Sequence, residues 1–128
     1  MTEALRVLRL GEDEAGESHF DDFEMPRPLT NFAPPAMPFF VSAVQKATGC
    51  VAIRIPVGWI GALHRSPHRQ MLFCWGGALK VTATDGSVRT IGPGNVWLMG
   101  DNKGKGHKSE VVSEVPFDAV IILLPEHA

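Results

Sequence analysis

Closely spaced turn signals constrain this chain more than any other feature. From residue 50 onward, Gly76-Gly77, Asp85-Gly86, Gly92-Pro93-Gly94 and Gly104-Lys105-Gly106 interrupt the sequence. The segments between them are short and rich in β-branched and aromatic residues: Cys50–Pro56, Ile60–Ser66, Arg69–Trp75, Ala78–Ala83, Ser87–Ile91, Asn95–Met99, His107–Val112 and Phe117–Leu124. Strands of this length between regularly spaced turns build a sandwich or a barrel. Asp85-Gly86 is a strong hairpin signal, because both residue types tolerate a positive φ. No helical period runs long enough to compete, so the expected class is all-β.

The first third reads differently. Leu5, Val7 and Leu8 suit a short edge strand. An acidic stretch follows (Glu12, Asp13, Glu14, Glu17, Asp21, Asp22, Glu24). Prolines then stand at 26, 28, 34, 35 and 38. Proline has no amide donor for a helix or ladder, so this part is expected to be an irregular, extended wrap. It also carries Phe32, Met37, Phe39 and Phe40, too apolar for a free tail. The expected division is therefore an N-terminal arm over 1–45, packed on the barrel or on a partner subunit, and a barrel over 46–128.

Charge narrows the partners. The formal net charge is −2 and no basic stripe appears, which argues against nucleic acid. Lys103, Lys105 and Lys108 are interleaved with glycine and read as a mobile polar loop, either gating a pocket or simply solvated. No apolar run approaches the ~20 residues of a membrane span. The opening Met1-Thr2-Glu3-Ala4-Leu5-Arg6 lacks an apolar signal region, so the expected compartment is the cytoplasm. Cys50 and Cys74 form no CxxC pair and are expected to be reduced, half-buried fillers.

The densest polar stretch is His64-Arg65-Ser66-Pro67-His68-Arg69-Gln70. In one straight strand His64 and Gln70 would lie roughly 20 Å apart, too far to share a ligand. A turn at Pro67 would bring Ile60–Ser66 and Arg69–Trp75 together as antiparallel neighbours. Alternation would place Ser66 on the face of His64, and Leu72 and Cys74 on the face of Gln70. Arg54 sits in an otherwise apolar run and either clamps a carboxylate or faces solvent. Trp59, Trp75 and Trp97 are pocket-mouth or core residues. Asp101 is an acid or base near His107, or a turn cap.

These residues resemble the cupin motifs. In small bacterial cupins two histidines alternate, a glutamate follows four residues later, and a glycine seven after that. His64 matches the first histidine and Gly77 the glycine, with Ser66 and Gln70 in the places of the second histidine and the glutamate. The second motif, a Pro-Gly turn, a strand, then a glycine three residues before a histidine, is similar to Pro93-Gly94, Gly104 and His107 here. The resemblance covers about the last 75 residues well and the first 45 loosely. It implies a cupin-type double-stranded β-helix, a jelly-roll barrel, and a homodimer.

It also implies a pocket for a small organic metabolite. His64 and His107 are the catalytic candidates; Ser66, His68, Gln70, Leu72 and Arg54 are the ligand-binding candidates. His64, Gln70 and His107 form the candidate metal set, for one divalent Fe, Mn, Ni or Zn, although Gln70 brings a neutral oxygen and Ser66 is a poor ligand. Three functions stand side by side. One is an enzyme of isomerisation, cyclisation or metal-assisted oxygenation, in which a histidine moves a proton. The second is a metal-free, non-catalytic binding or sensing module. The third is a mainly structural protein whose proline-rich, phenylalanine-containing N-terminal segment wraps a second subunit.

Overall fold

The computed structural model describes residues 1–126. Among these residues every regular element is a strand. The strands are β1 (Leu5–Glu12), β2 (Ser18–Phe20), β3 (Phe23–Met25), β4 (Leu29–Thr30), β5 (Phe39–Phe40), β6 (Gly49–Ile55), β7 (Ile60–His64), β8 (Gln70–Gly76), β9 (Leu79–Ala83), β10 (Val88–Ile91), β11 (Val96–Met99), β12 (His107–Val111) and β13 (Phe117–Leu123). The eight segments expected from residue 50 onward are strands β6 to β13, each within one or two residues of its expected ends. Among the described residues no helix is long and apolar enough to cross a membrane.

Strands β6 to β13 fall into two sheets. One runs β11-β8-β13-β6 and the other β10-β9-β12-β7. This alternation, with the last strand returning between the first and third, is the strand order of an eight-stranded jelly roll, the barrel type of the cupins. Period-two alternation fills the space between the sheets. Leu79, Val81 and Ala83 of β9 point inward, as do Phe117, Ala119 and Ile121 of β13, and all are buried. Lys80 and Thr82 take the solvent face.

The first third is more regular than its composition suggests. β1 is not a short edge strand. It runs for eight residues, parallel to β11, with Val7 opposite Val96 and Leu10 opposite Met99. β2 and β3 fold back on it. The larger sheet thereby gains a second apolar layer outside the barrel, where Val7, Met71, Val96, Leu98 and Leu124 cluster. The acidic stretch is used as clamps: Asp21 pairs with Arg9 at 3.0 Å and Asp22 with Arg6 at 3.2 Å. Local propensity missed this because the partner of β1 lies some 90 residues away in the chain. Val7→Ala tests the point. Val7 has no exposed surface, so the substitution should lower stability by roughly 1–2 kcal/mol in urea titration. A loosely laid arm would lose nothing.

The cysteines differ from each other, and only one is buried. Cys50 is exposed on β6, and Cys74 is buried on β8. Burial pushes the Cys74 thiol up from its ordinary range, away from the reactive thiolate. An aromatic disulfide reagent at neutral pH should therefore titrate one fast thiol per native chain and the second only on unfolding. A Cys50→Ser variant should lose the fast one.

Candidate functional site

The site is a half-open pocket between the two sheets, with a cavity volume of about 160 Å³. Both sheets line it. His64, Ser66, Gln70, Leu72 and His107, all singled out by the sequence, meet there. The route differs from the expected one. Ile60–Ser66 and Arg69–Trp75 are not paired neighbours. β7 pairs with β12 in one sheet and β8 with β11 and β13 in the other. The chain at Pro67 crosses from sheet to sheet, and His64 and Gln70 line the cavity from opposite sides.

Two candidates fall outside. Arg54 does not reach the cavity. It is exposed on β6 and makes a two-pronged pair with Asp118 of β13, at 2.8 and 3.0 Å. That pair holds the Asp118 carboxyl below its usual range and raises the guanidinium. His68 is exposed in the crossing turn and is absent from the cavity lining. Trp59 and Trp97 line the cavity, whereas Trp75 is exposed.

His107 pairs with His64 across β12 and β7. The two rings lie 4.8 Å apart, centroid to centroid. Gly106 makes this approach possible. Its φ is +86°, and a Cβ there would lie 2.1 Å from the His64 carbonyl oxygen. Trp97 meets the His107 ring edge-on at 5.3 Å.

Behind His107 stands Asp101, fully buried. Its Oδ2 accepts from His107 Nδ1 at 2.6 Å, and its Oδ1 accepts from Ser66 Oγ at 2.7 Å. The carboxylate is thus an orienting partner for His107 rather than a turn cap. The His64 Nδ1 lies 2.7 Å from the Ala62 carbonyl oxygen. A carbonyl can only accept, so this nitrogen is the donor. Both rings therefore keep Nδ1 occupied and leave Nε2 with a free lone pair. The sequence offered Asp101 only as one of two readings, because nothing local joins it to Ser66.

The loop 101–106 is pinned rather than mobile. Glu12 accepts from the amides of Lys103 and Gly104, at 3.1 and 2.6 Å. Ser18 Oγ donates to the Gly106 carbonyl, Lys105 pairs with Glu17, and the Lys105 amide donates to the Gly16 carbonyl. The β1–β2 turn thus fixes the backbone that carries both Asp101 and His107.

This donor set does not suit a resident divalent ion. His64 and His107 present two neutral nitrogens. The Ser66 hydroxyl is spent on Asp101, and both Asp101 oxygens are taken. Gln70 is neutral, with its side-chain nitrogen 3.2 Å from the Met99 sulfur. Among the described residues no anionic side chain lines the cavity, whose remaining walls include Ile53, Ile55, Leu79 and Ile121. A dipositive charge would sit there uncompensated in apolar surroundings.

No protein-family profile and no curated protein matches the sequence. Among solved structures, the cupin domain of Schizosaccharomyces pombe Cnp3 aligns over 97% of this chain and 84% of its own, at 11% identity and a TM-score of 0.47. A candidate ethanolamine utilization protein Q from Salmonella typhimurium aligns over 99% of both chains, at 11% identity and a TM-score of 0.46. A conserved Streptococcus pyogenes protein of unknown function aligns over 66% of this chain and 71% of its own, at 17% identity and a TM-score of 0.44.

Proposed function

We propose that this cupin-fold chain binds one small carbonyl compound in the barrel and that His107 moves a proton on it without a metal. The observation that carries the reading is the buried Asp101–His107 bond, which leaves His107 Nε2 as a free basic atom with a carboxylate behind its ring. A carboxylate on Nδ1 fixes the tautomer and stabilises the imidazolium once Nε2 takes a proton.

Size limits the substrate. A cavity of about 160 Å³ compares with the engineered apolar cavity of about 150 Å³ that takes up benzene. The pocket volume accommodates a reacting group of roughly six to ten heavy atoms. The lining also favours an oxygen acceptor. The Trp97 indole N–H is buried without a partner, and Gln70 brings an amide. Donors of this kind stabilise charge that develops on a carbonyl oxygen.

The step is abstraction of a proton α to that carbonyl. The C–H proton passes to His107 Nε2 and its electron pair moves onto the oxygen. The imidazolium then returns the proton to a different carbon or to the oxygen, giving isomerisation with no co-reactant; where the same molecule holds a second carbonyl, the enolate carbon can instead bond to that carbonyl carbon and the imidazolium protonates its oxygen, giving cyclisation. His64 stands at the mouth as a second proton acceptor. Oxygenation is not part of this reading, since the donor set for a resident metal is incomplete.

The experiment is a ligand-observed NMR screen of small keto acids and diketones in D₂O. The native chain should bind a hit and load deuterium at its α-carbon. His107→Gln should slow that loading at least about a hundredfold while binding persists. Binding without exchange would leave a binding or sensing module. Unchanged exchange in His107→Gln, or one equivalent of metal that the variant loses, would overturn the reading.

A further inference from the structure

The link between β6 and β7, residues 56–59, ends in Trp59, which lines the barrel pocket and is only half-buried. β6 and β7 are the end strands of their two sheets, so the sheets part here and Trp59 stands where they part. Its backbone is held from both sides. The Trp59 amide donates to the Pro56 carbonyl at 3.2 Å, and the Trp59 carbonyl accepts from the Val111 amide at 2.9 Å. The six-membered ring of the indole then lies against Gly61 of β7. A Cβ at Gly61 would collide with Cη2 of that ring and stand 2.8 Å from Cζ3. Only a residue without a side chain gives the ring this seat. The indole is thus fixed at its backbone and at its far edge, and it is presented to the pocket at little entropic cost.

The remaining lining limits what such a wall would meet. Ile53, Ile55, Leu72 and Ile121 are aliphatic. Among the described residues no lysine or arginine lines the pocket, so a carboxylate would enter without a fixed cation to pair with, at a high desolvation cost. A neutral ligand carries no such cost. An aromatic wall also selects by shape. A flat conjugated ring packs on an indole face-to-face or edge-on, and the two quadrupoles attract. A puckered saturated ring of the same size touches the indole with fewer atoms and has no quadrupole to match. A tryptophan that merely filled the core would be enclosed, whereas open volume adjoins Trp59.

We propose that Trp59 is the specificity-determining residue of the pocket and selects a neutral, flat, conjugated ketone over a puckered ligand of equal size. The assignment rests on the reading that the pocket binds a small carbonyl compound. It does not rest on proton transfer by His107.

Acetophenone and cyclohexyl methyl ketone test it. They have the same number of heavy atoms and the same methyl ketone, and they differ in whether the ring is flat. Protein-observed NMR titration of the full chain should give a Kd for acetophenone about three- to tenfold below that for the saturated ketone. Trp59→Leu keeps an apolar side chain over Gly61 and should bring the two values within about twofold, whereas Trp59→Phe should keep part of the preference. Gly61→Ala leaves the indole in the chain but displaces it from its seat. It should also narrow the gap, and it serves as the second test should Trp59→Leu fail to fold. Equal or reversed affinities in the native chain, a preference that survives both Trp59→Leu and Gly61→Ala, or no binding of either ketone overturns the proposal. Deuterium loading at the acetophenone methyl in D₂O reads the proton transfer separately. Loading without a preference for the flat ring sinks only the role of Trp59, and a Trp59-dependent preference without loading sinks only the role of His107.

Discussion

Asp101→Ala should cost about 3–5 kcal/mol of folding stability, more than truncating many core residues of equal size. Asp101 has no exposed surface, and neither it nor its partners can turn to water: Ser66 is 1% and His107 2% exposed. The alanine would leave the Ser66 hydroxyl and the His107 Nδ1–H as buried donors facing a void. Each such orphan costs about 1–3 kcal/mol, and breaking a buried network costs more than a surface pair. Asp101→Asn separates structure from chemistry. Its oxygen can accept from His107 and its nitrogen can donate to Ser66 Oγ, so the fold should hold at a cost of about 1–2 kcal/mol. The negative charge behind the imidazole is gone, however, and α-proton exchange should fall by at least tenfold. Urea titration of both variants, with exchange measured on the second, checks the pair. A loss below about 1 kcal/mol in Asp101→Ala would mean that water replaces the carboxylate, and the site would not be the dry network described here.

Gly106→Ala should be nearly as damaging and should act on the site directly. The residue sits at φ +86°, where a Cβ costs roughly 1–2 kcal/mol. That Cβ would also meet the His64 carbonyl oxygen at 2.1 Å and its carbon at 2.3 Å. Backbone cannot rotate away as a side chain can, so β12 must separate from β7, adding roughly 1–3 kcal/mol. The total is about 2–5 kcal/mol, and the His64 and His107 rings should stand apart even in the folded fraction. Gly86→Ala is the internal control. Its φ is +91°, yet nothing lies within 4 Å of the added Cβ. It should show only the conformational part, about 1–2 kcal/mol, and leave the two histidine rings packed together. Equal losses at the two glycines would remove the close approach as the reason for Gly106. The readouts are the urea midpoint and ring-to-ring nuclear Overhauser effects between the histidines.

The N-terminal third and the histidine site were legible to very different degrees. In β6 to β13 the information is local. Asp85-Gly86 makes its hairpin from adjacent residues, and the alternation of Leu79, Val81 and Ala83 needs no knowledge of a partner. His64, Gln70 and His107 could be assigned to one pocket only through the resemblance to the cupin motifs, since no local pattern joins residues 64 and 107. β1 could not be placed, because its value lies in pairing with Val96–Met99 at the far end of the chain. The acidic run reads as solvated surface until its partners, Arg9, Arg6, Lys105 and the amides of Lys103 and Gly104, are brought beside it.

By itself, then, the sequence determined the all-β class and the strand boundaries after residue 50, since turns and period-two alternation act over a few bonds. Only the tertiary structure decided that β7 and β8 lie in opposite sheets. It also placed Arg54 and His68 outside the cavity, and it made Asp101 the partner of both Ser66 and His107. Those outcomes depend on which sheet each strand joins. That choice is made by burying apolar faces contributed from all along the chain, and no short stretch of sequence carries it.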